Sequence, residues 1–95
     1  MSVVVSAVSP GITGEMYKAI TQRVMPGDQL PDGCRLHIGG PVEGGWRVIT
    51  VWESGEDFQR FREEKLLPTI RELAGGTAPP TVEPEISPVH KLITG

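Results

Sequence analysis

Cysteine is almost missing from this chain: Cys34 is the single one in 95 residues. No intrachain disulfide can form, and a reducing cytoplasm is the default compartment. Histidine is nearly as scarce. His37 and His90 are the only two, and two imidazoles without a clustered carboxylate or cysteine make a poor metal site. Positive charge is thin as well. Nine Lys and Arg are scattered among twelve Asp and Glu for a net charge of −3, which argues against a nucleic-acid partner, since such a protein needs a basic face to displace counterions. No run approaches the ~20 apolar residues of a membrane-spanning helix. The first eight residues, Met1 to Val8, lack a basic start and are too short an apolar stretch for a signal peptide. No phosphate loop is present either, because Gly39-Gly40 precedes a proline and does not open a helix. The expectation is a cytoplasmic protein that engages neither membrane nor nucleic acid.

What remains is enough for one domain spanning residues 1–95. Hydrophobic residues make up 38% of the chain, with 12 glycines and 9 prolines. A chain of this size buries about 60–68% of its unfolded surface, so a lone copy is marginal, and two compact layers or a dimer would relieve the shortage.

The pattern predicts six elements. Val3 to Val8 is a β-branched run stopped by Ser9-Pro10-Gly11, with apolar groups on both faces, as a strand covered on both sides requires. Thr13 is placed to cap a helix whose stripe is Met16, Ile20 and Val24, ending at Met25-Pro26-Gly27. Cys34 to Pro41 and Trp46 to Glu53 read as a hairpin around Glu43-Gly44-Gly45. In the second arm, Trp46, Val48, Thr50 and Trp52 share one face, and neither face is clearly polar, so this strand is expected in the middle of its sheet. Ser54 caps a second helix led by Phe58 and Phe61, in which Pro68 forces a kink that brings Leu66, Ile70 and Leu73 round to the same side. Gly75-Gly76 should close it, a stiff proline-bearing crossing follows over 77–84, and Ile86 to Ile93 is the last strand.

The order β-α-β-β-α-β is that of the ferredoxin-like α+β fold: a four-stranded antiparallel sheet with two helices on one face. The other face is left bare with several apolar side chains, too large a patch to leave wet, so an isologous homodimer is expected.

Leu36-His37-Ile38-Gly39-Gly40-Pro41, followed by Gly45-Trp46-Arg47-Val48-Ile49-Thr50-Val51-Trp52-Glu53-Ser54, resembles the antibiotic-biosynthesis-monooxygenase-like (ABM-like) group of dimeric α/β-barrel proteins. Phe58, Phe61, Leu66-Leu67-Pro68 and Pro88-Val89-His90 continue the likeness over most of the chain. The resemblance implies a dimeric α/β barrel and, by its best-known members, oxidation of polyphenolic polyketides by molecular oxygen with no metal, flavin or haem cofactor; haem-degrading relatives share the fold. An isomerase or cyclase that shapes a polyketide-type substrate without oxygen, and a non-catalytic dimer that binds a small ligand, stay open beside it.

Within that frame His37 and His90 are the candidate bases, since an imidazole titrating near ~6.5 can take a proton from a phenol. Alternation along the strand puts His37 on the face of Arg35. Tyr17 and Trp52 are the expected holders of an aromatic substrate, with Met16, Phe58 and Phe61 lining the same cleft. Trp46 offers the same plane and N–H donor about 20 Å along the strand. Arg47, Glu53, Arg60 and Arg62 read as solvated or ion-paired groups, and Cys34 has no neighbouring base to make it a nucleophile.

Overall fold

Three consecutive valines start a strand that becomes one of the two inner strands of the sheet. The computed structural model describes residues 1–73 and 83–95. In chain order it contains β1 (Val3–Pro10), α1 (Gly14–Val24), β2 (Cys34–Val42), β3 (Gly45–Trp52), α2 (Gly55–Phe61), α3 (Leu67–Leu73) and β4 (Glu85–Pro88). The strands form one antiparallel sheet in the order β2-β3-β1-β4. This is the expected ferredoxin-like arrangement, with β3 and β1 inside, as their two apolar faces require. The gap between β2 and β3 is closed by the two-residue turn Glu43-Gly44, where Gly44 takes a φ of 80° that a side chain would resist.

Both helix starts follow from their caps. The Thr13 hydroxyl accepts from the Met16 N–H at 3.2 Å, and the Ser54 hydroxyl accepts from the Asp57 N–H at 3.1 Å. Each satisfies a donor that the first helical turn leaves unpaired.

At Pro68 the expected disruption of the helix takes a particular form. The chain runs from α2 into α3 through a π turn, Arg62–Leu66, in which the Leu67 N–H bonds the Arg62 carbonyl five residues back. A wider turn just before the proline absorbs the residue whose N–H is missing, and the extra residue rotates the later stripe by about one position. Phe58, Phe61, Leu66 and Ile70 therefore all line the space between helices and sheet, whereas Leu73, expected on the same side, is 42% exposed.

Two other expectations need correction. β4 ends at Pro88 rather than at Ile93: a proline cannot donate to the ladder, and after one more bond, from the Val89 N–H to the Ser2 carbonyl at 2.9 Å, residues 90–95 leave the sheet. In β2, the register slips between Cys34 and Leu36: Cys34 faces Trp52 while His37 faces Thr50. This bulge puts Cys34, not Arg35, on the side of His37. The Gly75-Gly76 cap and all of the 77–84 crossing except Glu83 and Pro84 lie outside the described residues.

The core sits at one end of the sheet, under α2. Val5, Trp52 and Phe58 are buried there, with Val3, Cys34 and Phe61 packed around them. The Trp52 ring meets Phe58 edge-on at 5.7 Å and Phe61 at 5.3 Å between centroids. Aromatic pairs in such geometry add about 0.5–1.5 kcal/mol beyond the area they bury. On the opposite sheet face Val8 and Ile38 stand 42% and 52% exposed. Arg60 pairs with Asp57 at 3.0 Å, Arg62 with Glu83 at 3.3 Å and Arg35 with Glu53 at 3.7 Å. Those contacts match the ion-paired role expected for Glu53, Arg60 and Arg62.

Because Phe58 touches the one tryptophan that is wholly buried, Phe58→Ala should lower the unfolding free energy by about 3–5 kcal/mol in urea titrations. Gln59→Ala, next along the helix but exposed, should stay within about 0.5 kcal/mol of the parent. Equal effects of the two would contradict this placement of the core.

Candidate functional site

Between the sheet and the helices lies a cavity of about 180 Å³. Its floor is made by alternate residues of β1 and β3, among them Val5, Ala7, Val48 and Thr50, and its roof by Ile20 of α1 and Ile70 of α3. Strand alternation thus explains why the lining is mostly apolar: every second residue of the two inner strands faces the helices. Trp52, Phe58 and Phe61 wall the closed end. Trp46 stands at the other end of β3, and Tyr17 and His37 line the cavity between, with Thr50, Cys34 and Arg62 as further polar groups in the wall.

Tyr17 and His37 are hydrogen-bonded, phenol oxygen to imidazole Nε2. Their rings stack at 5.8 Å and 28°, and the far side of Tyr17 meets Trp46 at 5.0 Å. The phenol reaches His37 because of Gly39. A Cβ at that position would collide with the hydroxyl end of the tyrosine ring, so the strand must lack a side chain where the ring lies across it. Gly14 differs: a Cβ there would stand 3.5 Å from the Trp46 ring edge, an ordinary contact.

The direction of the hydrogen bond follows from satisfaction. The phenol proton has no other acceptor among the described residues, and an imidazole lone pair is a far better acceptor than a phenol oxygen. Tyr17 therefore donates, Nε2 accepts, and the ring proton of the neutral imidazole sits on Nδ1. Burial supports this protonation state from both sides. It pushes the His37 imidazole below its ordinary 6.5, and it raises the Tyr17 phenol above 10.0, with the carboxylate of Asp28 adding a smaller push. At neutral pH the pair is uncharged, a proton donor against an open base.

Cys34 shares the cavity wall with His37 through the β2 bulge. Burial raises its thiol above 9.0, and a smaller backbone contribution from Leu36 offsets this only in part. It is a thiol at neutral pH, which fits the expectation that it is no nucleophile.

Of the residues singled out from the sequence, Tyr17, His37, Trp52, Phe58 and Phe61 line the one cavity. Met16 does not: it is 42% exposed and borders a separate outer groove with Ile12, Glu15 and Leu73. His90 lies exposed beyond the end of β4 and is not part of the cavity lining. Trp46 lines it together with Trp52, although the two stand at opposite ends of the same strand face. Shared strand parity carried that signal in the sequence, but parity alone does not say which of the two rings meets Tyr17. Among the described residues no three His, Cys, Asp or Glu side chains gather as a metal site would require.

No family profile matches the chain, and no curated protein matches it. Solved structures do share its fold. A variant of SnoaB, a cofactor-independent oxygenase from Streptomyces nogalater, aligns with a TM-score of 0.62 at 13% identity, over 99% of this chain and 97% of that one. A Deinococcus radiodurans protein provisionally named an antibiotic biosynthesis monooxygenase gives 0.59 at 13% identity, over 99% and 97%. A mutant of MhuD with two manganese protoporphyrin IX bound per active site gives 0.56 at 25% identity, over 100% of both chains. The fold expected from the sequence is that of the ABM-like proteins.

Because the unfolded chain protonates His37 near the ordinary 6.5 while the buried ring resists, folding stability is full above that value. It falls as the pH drops below it, where the unfolded state binds the proton first. Unfolding free energies measured between about pH 7.5 and 5.5 should therefore slope more steeply for the parent than for His37→Gln; equal slopes would contradict the buried neutral ring. Gly39→Ala, which displaces Tyr17, should cost about 1–3 kcal/mol by overpacking and flatten the same slope.

Proposed function

We propose that this chain, built on the fold of the ABM-like proteins, is a cofactor-independent monooxygenase-like enzyme acting on an aromatic or polyketide-type small molecule. The observation that carries the reading is the Tyr17–His37 hydrogen bond in the wall of a mostly apolar cavity. A flat aromatic ligand suits such walls, and a neutral imidazole suits an acidic phenol. The oxygenase named among the solved structures of this fold supports the same direction.

In this reading, the substrate phenol meets the Tyr17 oxygen, passes its proton there, and the Tyr17 proton moves to His37 Nε2. The substrate becomes an electron-rich anion and the imidazole a cation. A ring carbon of the anion bonds to molecular oxygen, both electrons coming from the substrate, and the peroxide takes the proton back from His37. Loss of water, with a hydrogen from the same carbon, leaves a carbonyl: one oxygen atom retained, one released. The apolar walls exclude the water that would quench the anion. Trp52, Phe58 and Phe61 serve as the closed end against which the substrate packs. His90 is the weaker candidate for the base, since it stands exposed outside the cavity lining.

The reading includes a homodimer. Val4, Val8, Leu36, Ile38 and Ile49 lie on the sheet face away from the helices, and a second copy laid on it would remove that apolar patch from water. Sedimentation at micromolar concentration should give a particle of twice the 10.3 kDa chain mass; a stable monomer would exclude the dimer.

Oxygen uptake with polyphenol substrates checks the chemistry. His37→Ala should slow it by about 10²- to 10⁴-fold, and by far more than His90→Ala does. Turnover that continues undiminished under argon would favour a cyclase or isomerase on the same cavity. Thermal stabilisation by ligand with no product would favour a binding protein.

A further inference from the structure

Two tryptophans line the cavity, and their indole N–H groups differ in one respect. The Trp52 N–H donates to the Thr50 hydroxyl at 2.8 Å and is spent within the core. The Trp46 N–H is buried and has no hydrogen-bond partner among the described residues. A buried donor without an acceptor in the protein costs about 1–3 kcal/mol, and the reason such a group is kept is often functional. Trp46 lines the cavity with its ring 5.0 Å from that of Tyr17, which in turn holds His37.

We infer that the Trp46 indole N–H is the substrate-orienting donor of this site, taking an acceptor oxygen, a carbonyl in the first instance, on an aromatic ligand whose phenol faces Tyr17 and His37. The inference rests on the proposed function for the phenol and adds the second point of attachment. Two polar anchors beside each other on an apolar ligand fix its orientation where one would let it spin. Trp46 is thus a specificity residue: it discriminates between aromatic phenols with and without a carbonyl. Its partner on the strand, Trp52, has no free donor with which to do so.

The test compares hydroxybenzophenone with benzylphenol, which has a methylene in place of the carbonyl, by calorimetric titration of the intact protein. The parent should prefer hydroxybenzophenone by about five- to tenfold, the worth of one hydrogen bond. Trp46→Phe, which keeps an aromatic ring and removes the N–H, should abolish that preference, whatever the smaller ring costs the two ligands in common. A preference that survives in Trp46→Phe, or an equal loss for both ligands, would overturn the assignment. A second readout needs no variant: the Trp46 N–H proton resonance of the parent should move downfield with hydroxybenzophenone and stay in place with benzylphenol, and an unmoved resonance with both would overturn it as well. Neither readout involves turnover. A Trp46-dependent carbonyl preference with no oxygen uptake would therefore defeat the oxygenase reading alone, and oxygen uptake without that preference would defeat the donor assignment alone.

Discussion

A strand without a side chain at Gly39 is the constraint on which the site depends. It lets a phenol from α1 lie across β2 and reach an imidazole two residues earlier, on the same face of the strand. Any Cβ there would push the tyrosine away, and a half-buried imidazole would lose its donor. Around this contact the fold supplies little beyond shape: inner strands with apolar residues at every second position, helices over one face of the sheet and an end walled by packed aromatic rings.

The two ends of β3 divide the work. At its C-terminal end Trp52 is 1% exposed, bonded to Thr50 and packed on Phe58 and Phe61, which makes it part of what holds the domain together. At its N-terminal end Trp46 leaves its donor unused and touches the tyrosine. Strand geometry puts both rings on one face, about 20 Å apart. One tryptophan serves stability and the other is available for recognition. The π turn before Pro68 matters for the same reason, since it rotates Leu66 and Ile70 into line with Phe58 and Phe61 and completes the apolar roof.

Much of the fold was legible in local chemistry. Thr13 and Ser54 cap the helices that they were expected to cap, the three valines of β1 lead an inner strand, and the hairpin turns at Glu43-Gly44. Less legible was whatever depends on a one-residue slip. The bulge after Cys34 reverses which neighbour shares a face with His37, because period-two alternation assumes an unbroken ladder. Likewise, a proline in a helix predicts disruption without saying whether the chain kinks or widens into a π turn. The site was half visible: Tyr17 and His37 were each singled out, yet their meeting depends on Gly39 opposite a helix 20 residues away in sequence, which no local pattern encodes. Met16 and His90 looked equivalent to the others by spacing and residue type, and only tertiary placement separates them from the cavity.

The account stands on a neutral His37 whose Nε2 accepts from Tyr17. Nitrogen-15 chemical shifts of the imidazole in the free protein at neutral pH read this directly. A protonated Nδ1 with an unprotonated, hydrogen-bonded Nε2 is the expected pattern, and it should give way to free-tautomer values in Tyr17→Phe. A proton on Nε2, or a doubly protonated ring, would contradict it.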